Sequence, residues 1–257
     1  MTPKIIAVVN QKGGVGKTTT TINVAAQLAE ARLERPVLLI DLDPQGNATS
    51  GLGIPKNDSL PNIYDILHGD AILSEAVQES HVAQLYVIPS DANLAGSEVE
   101  LVNREKREFV FSRAIANAPF EYIFIDCPPS LGLLTINALT AANQILIPVQ
   151  AEYYALEGLS QLLNTITAVR ESTNPQINLL GVVLTMFDKR NSLSEQVSTE
   201  VKNYFGDYLF KTVIPRNVRL AEAPSYGQTI YEHDRWSKGS RSYKALTKEV
   251  KQRLDSL

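Results

Sequence analysis

Seven short apolar, β-rich runs punctuate the chain, at positions 5–9, 37–40, 85–88, 122–125, 145–149, 179–184 and 209–214. Each predicts a buried strand. Between several of them apolar residues recur at helical spacing, as in Ile22, Ala25, Ala26 and Ala29, or Leu156, Leu159, Leu163 and Ile166. Strands that alternate with helices in this way predict a parallel sheet joined by crossover helices. The last stretch sets Tyr243, Leu246, Val250 and Leu254 on one helical face, the pattern of a helix packed on a core. No repeat of 20–50 residues and no Gly/Ser or Pro-rich linker divides the chain, so one α/β domain over residues 1–257 is expected.

Composition changes this picture little. The chain has 24 Lys+Arg, 28 Asp+Glu and a formal net charge of −4, and nothing in it approaches the roughly 18 apolar residues of a spanning helix. Residues 1–10 lack the charged start and apolar run of a signal peptide, which points to a cytoplasmic protein. The single cysteine, Cys127, excludes an intramolecular disulfide and any multi-cysteine metal or iron–sulfur site within one chain. His68, His81 and His233 share no metal-ligand spacing. Charge is uneven, however: residues 1–185 carry −8 and residues 186–257 carry +4, so the C-terminal part is the basic one.

The first strand runs into Asn10-Gln11-Lys12-Gly13-Gly14-Val15-Gly16-Lys17-Thr18-Thr19, and a helical pattern follows. Glycines there let backbone N–H groups close on an anion, the helix end adds a favourable dipole, and Lys17 and Thr18 are placed for terminal phosphates and Mg²⁺. Average residue usage would produce Lys-Gly-Gly-x-Gly-Lys-[Ser/Thr] by chance in roughly one chain of this length in several tens of thousands. The usual P-loop has glycine where this chain has Gln11, and Lys12 follows. With that departure the motif resembles the deviant Walker A of the ParA/MinD group of P-loop ATPases. The resemblance implies a three-layer P-loop NTPase fold, a mostly parallel twisted sheet with helices on both faces, and an ATP site at Lys12, Gly13, Gly14, Val15, Gly16, Lys17, Thr18 and Thr19. It also implies that Lys12 crosses a dimer interface to the partner's nucleotide, acting in trans as an arginine finger does.

Two further strands end in carboxylates. The 37–40 run leads into Asp41-Leu42-Asp43-Pro44-Gln45-Gly46-Asn47, and the 122–125 run into Asp126-Cys127-Pro128-Pro129-Ser130. Open α/β sheets keep their ligands at such carboxyl ends. By resemblance the first is switch I, with Asp43 activating water and Asp41 in the same polar network, and the second is Walker B and switch II. Thr18 would then contact Mg²⁺ directly, and Asp43 and Asp126 through water. Cys127 is expected to be a small packing residue. The segment Thr185-Met186-Phe187-Asp188-Lys189-Arg190 follows a strand, as does the segment from Ile214 to Gly227. The second is similar to that of ParA/Soj partition ATPases, in which Pro215 and Asn217 would line the adenine pocket and Arg190 and Arg219 would contact DNA. The link over residues 31–36 lacks the glycine usual there, a departure that bears only on the loop's shape.

The resemblance spans essentially the whole chain. It implies a Mg²⁺-dependent partition ATPase with ATP and Mg²⁺ as cofactors, an ATP-dependent homodimer, non-specific double-stranded DNA and a ParB-type centromere-binding protein as partners, no membrane, and a nucleoid-associated cytoplasmic location. The alternative is a MinD-like membrane-associated positioning ATPase, but the end Lys251-Gln252-Arg253-Leu254-Asp255-Ser256-Leu257 offers few large apolar groups for an amphipathic anchor. An electron carrier of the nitrogenase-reductase type would need two cysteines per subunit, and a tyrosine kinase of the same superfamily a C-terminal tyrosine cluster.

Overall fold

The computed structural model describes residues 3–31, 35–56, 60–152 and 155–257, with the side chains of 155–157 left aside. Expectations for the 31–36 link therefore lie in part outside the described residues, as does that for the Leu156 side chain.

Six of the seven apolar runs form strands: β1 (Lys4–Val8), β2 (Val37–Asp41), β4 (Leu85–Ile88), β5 (Tyr122–Asp126), β6 (Gln144–Gln150) and β7 (Asn178–Thr185). A two-residue strand, β3 (Gln78–Glu79), pairs antiparallel with β4 and was invisible in the pattern. The sheet order is β3-β4-β2-β5-β1-β6-β7, and every other pairing is parallel. Burial on both faces explains the near-continuous apolar runs. Alternate residues enter two separate cores: Ala7, Leu38, Ile40, Ile123 and Ile125 face one layer of helices, whereas Ile6, Val37, Leu39, Tyr122 and Phe124 face the other. The first layer holds the helices Ile63–His68, Leu133–Ala141, Ala155–Ser172 and Ser192–Phe205, and the second holds Lys17–Ala29 and Lys238–Asp255.

Ile22, Ala25, Ala26 and Ala29 of the first long helix are buried, as are Tyr243, Leu246, Val250 and Leu254 of the last. Ser237 opens that last helix by accepting a hydrogen bond from the Ser240 N–H. The 209–214 run is the exception, because it meets β7 in a single isolated bridge, Val182 to Leu209, with a second just past its end, Phe187 to Pro215. The backbone N–H groups of Lys211 and Thr212 are instead taken by the Glu249 carboxylate at 2.9 Å each, so a side chain of the last helix replaces a strand ladder there.

Parallel register settles where the chemistry converges. Val8 pairs with Asp126 across β1 and β5, and Asp41 pairs with Asp126 across β2 and β5. The glycine-rich loop and both carboxylate segments therefore leave the sheet at one edge.

Candidate functional site

The loop between β1 and the helix Lys17–Ala29 holds its shape through glycine backbones. Gly14 has φ +73° and Gly16 +88°, conformations that disfavour side chains. Thr185, the last residue of β7, donates from Oγ1 to the Val15 carbonyl at 2.7 Å, pinning the loop to the sheet. Lys17 is 6% exposed, and its Nζ lies 3.3 Å from the Lys12 carbonyl oxygen. Burial lowers its pKa, and Asp126, Cys127 and Asp43 oppose that shift. Lys12 sits on the open side of the loop, where its Nζ is 3.0 Å from Glu152 Oε2, a carboxylate just past β6 that also meets Arg216 at 3.8 Å. A methyl group added at Gly13 would meet nothing within 4 Å, so its own subunit does not require that glycine to be small.

The carboxylates occupy three different environments. Asp41 is fully buried and accepts from the Thr49 N–H at 2.8 Å, the Thr49 hydroxyl at 2.7 Å and the Asp43 N–H at 3.2 Å. It works as a bracket for the turn that carries Asp43. Asp43 itself caps that turn, accepting from the Gln45 N–H at 2.9 Å, while Ser90 Oγ donates to its carbonyl at 2.8 Å. Asp126 is fully buried; the Thr21 hydroxyl lies 3.1 Å from its Oδ1, and Oδ2 has no hydrogen-bond partner. Burial, then repulsion from Asp41, pushes Asp126 up to about 8, while the Thr18 hydroxyl, Lys17 and Thr21 pull it down. Burial also raises Asp41 to about 6. A buried carboxylate with an unused oxygen, facing a threonine hydroxyl, is a donor set suited to a hard divalent cation. Cys127 is buried beside it, and burial holds its thiol well above the ordinary value, as suits a packing residue.

Two connected hollows surround this edge. One of about 590 Å³ is lined by the loop glycines together with Lys17, Thr18 and Asp43. An apolar one of about 340 Å³ adjoins it, lined by Met186, Ile214, Pro215, Asn217, Val218 and Tyr243 among others. Folding thus brings Pro215 and Asn217 beside the glycine-rich loop. Tyr243 was legible only as a core residue, yet it reaches this hollow and bonds Thr20 Oγ1 at 3.1 Å. Thr49 and Glu152 carried no signal as partners of the site, and Thr185 stood out only as the first residue of a segment that follows a strand, since each meets the site from another segment of the chain.

The basic region gathers partly. Lys189, Arg190, Arg216, Lys238 and Arg241 line one groove of about 730 Å³, with Asp188 as its carboxylate. Arg190 is 90% exposed and clamps Asp188 at 3.1 and 3.2 Å. Arg219 does not line that groove; it lies in the short helix Val218–Glu222 and pairs with Glu222 at 2.8 Å and Asp234 at 3.7 Å.

A mostly parallel sheet, a glycine-rich loop feeding a helix N-terminus and carboxylates on the neighbouring strands define a three-layer P-loop nucleoside triphosphatase. A family profile described as an AAA domain matches residues 3–179. The chain is 55% identical over 249 residues to the sporulation initiation inhibitor protein Soj of Bacillus subtilis, covering 96% of this chain and 98% of that one. It is 52% identical to the chromosome partitioning protein ParA of Myxococcus xanthus, over 97% and 88% of the two chains. The chain belongs to the ParA/Soj family of chromosome-partitioning P-loop ATPases. Among solved structures, the cobyrinic acid a,c-diamide synthase of Mycobacterium smegmatis with bound ADP and magnesium is 36% identical and superposes with a TM-score of 0.85 over 99% of this chain and 96% of that chain. The apo McdA of Cyanthece, 24% identical with a TM-score of 0.87 over 98% and 99% of the two chains, shares the fold. No helix among the described residues is long and apolar enough to cross a membrane.

Proposed function

We propose that the whole chain works as one ATP-driven DNA-partitioning switch, in which ATP binding joins two subunits face to face and hydrolysis, stimulated by a ParB-type partner, separates them. The observation that carries this reading is the division of labour between two lysines on one loop. Lys17 is buried against the phosphate hollow, whereas Lys12 stands half-exposed on the open side, held by a surface carboxylate, beside a glycine with free space in front of it. A partner's nucleotide fits that space, and Lys12 would then neutralise charge on the partner's transferring phosphoryl group.

Within one subunit, the amides of Gly13, Gly14, Val15 and Gly16 with Lys17, Thr18 and Thr19 would hold the phosphates, and Pro215 and Asn217 the adenine. Thr18 would bind Mg²⁺ directly, with Asp126 and Asp43 reaching it through water; the orphaned Asp126 Oδ2 supports that assignment. The ion would supply charge neutralisation on the phosphate oxygens. Asp43, at the rim of the hollow, orients the attacking water, and Asp41 holds Asp43 in place. The basic groove and Arg219 would receive DNA phosphates, with affinity rising when a dimer doubles the surface.

The test is Mg²⁺-dependent ATP hydrolysis, measured with and without double-stranded DNA and the N-terminal peptide of a ParB-type protein. Stimulation that needs both ligands is expected. Stimulation by anionic lipid vesicles in place of DNA would replace this reading with the MinD-like one, and no hydrolysis at all would refute both.

A further inference from the structure

Three described residues other than glycine take a positive φ: Gln84, Lys106 and Met186, the last at +51°. Gln84 precedes β4, and Lys106 opens a short 3₁₀ turn. Met186 alone of the three lines the nucleotide hollows, and it lines both. A left-handed backbone is unfavourable for a side-chain-bearing residue and persists where the surroundings over-determine it.

They do so here. Thr185 is held twice, by its hydroxyl on the Val15 carbonyl at 2.7 Å and by the Ala151 N–H on its own carbonyl at 3.1 Å. Phe187 is also held twice, its N–H on the Ile214 carbonyl at 3.0 Å and its carbonyl by the Arg216 N–H at 3.2 Å. The one residue between two pinned neighbours must reverse the chain. Glycine would meet that backbone demand with less strain, so the demand does not account for a long thioether. The residue is partly exposed and lines both the phosphate hollow and the apolar one, as Leu220 and Ala221 do. A polarizable, unbranched thioether suits the face of a flat heterocycle.

We propose that Met186 is a further base-positioning residue of the site, beside Pro215 and Asn217: the pinned, left-handed backbone aims its side chain against the nucleotide's base and so aligns the phosphates with the loop. This rests on the nucleotide reading above and adds to it a residue outside the phosphate-binding motif.

Met186→Gly and Met186→Leu separate the backbone from the side chain. The readouts are the melting temperature and the dissociation constants of Mg·ATP and of Mg²⁺ with inorganic tripolyphosphate, which has no base, each by displacement of a labelled nucleotide. Met186→Gly is expected to melt no lower than the parent, because glycine relieves the backbone, and to bind ATP about tenfold more weakly through the lost apolar contact. Tripolyphosphate binding should be unchanged, and Met186→Leu should bind ATP nearly as the parent does. Unchanged ATP affinity in Met186→Gly, or an equal loss for ATP and tripolyphosphate, overturns the proposal. A parent chain that binds neither ligand refutes the nucleotide reading itself, and this inference falls with it.

Discussion

Asp126→Asn removes a carboxylate that the fold buries while leaving one of its oxygens unbonded. Burial and the neighbouring Asp41 raise its pKa to about 8, against about 3.9 for an unperturbed aspartate. Because the folded value lies above the unfolded one, the group's contribution to stability is complete below about pH 4 and is lost as pH rises through 8. At 1.36 kcal/mol per unit, a rise of about four units corresponds to a loss of at most about 5 kcal/mol by pH 8. Asparagine cannot ionise and keeps an oxygen for the Thr21 hydroxyl. Urea unfolding of the ligand-free protein at pH 4, 6 and 8 should therefore find the two chains alike at pH 4 and the variant more stable by a few kcal/mol at pH 8. The same substitution should weaken the Mg²⁺-dependent part of the stabilisation that ADP gives the parent, since it removes one of the two carboxylates proposed to reach the cation through water. A stability difference independent of pH would refute the argument that burial controls this group, and an undiminished Mg²⁺ effect would refute its role at the cation.

Other consequences follow from particular contacts. Gly13→Val should remain monomeric by light scattering with non-hydrolysable ATP while the parent dimerises, because the free space at Gly13 belongs to the partner in the proposed dimer; an unchanged dimer would contradict this. Asp43→Ala should bind ATP with near-parental affinity but trap the dimer, as expected of a group that acts on the attacking water, and lost nucleotide affinity with unaltered turnover would reassign it. Gly227 has φ +64°, and a Cβ there would lie 2.8 Å from the Gly53 Cα, so Gly227→Ala should cost at least about 2 kcal/mol in denaturant unfolding. Arg190→Ala, Arg219→Ala and Lys238→Ala should each weaken binding to two unrelated duplexes about equally and flatten its salt dependence; undiminished binding by the Arg190/Arg219 double variant in gel shifts would move the DNA surface elsewhere.

Much of the site was legible in one dimension, because a phosphate loop is a local device. Its glycines, lysines and threonine must follow each other between a strand and a helix, and Asp41, Asp43 and Asp126 had to stand at the ends of apolar runs. Those runs themselves were visible, since strands buried on both faces tolerate few polar residues. The failure at 209–214 lies outside what the run itself can show: an apolar run reports burial, and although Phe210 and Ile214 still donate to β7 carbonyls at 2.8 Å, a carboxylate from a distant helix, Glu249, takes the N–H groups of Lys211 and Thr212 between them.

Other features depend on which distant segments meet. Register sets Asp41 beside Asp126 in a dry interior; burial raises both pKa values, with Asp41 adding repulsion at Asp126 and Asp43 adding it at Asp41. Glu152 is one surface carboxylate among many until β6 ends next to Lys12. Arg190 and Arg219 stand in the sequence only as expected DNA contacts, and folding gives each a carboxylate of its own subunit. Met186 takes its strained backbone from hydrogen bonds at both neighbours, made by segments far away in the chain, Val15 among them. Sequence spacing carried the chemistry that must be contiguous in the chain; electrostatic environment, pairing and strain arise between segments, and only the packed sheet and its crossovers brought those segments together.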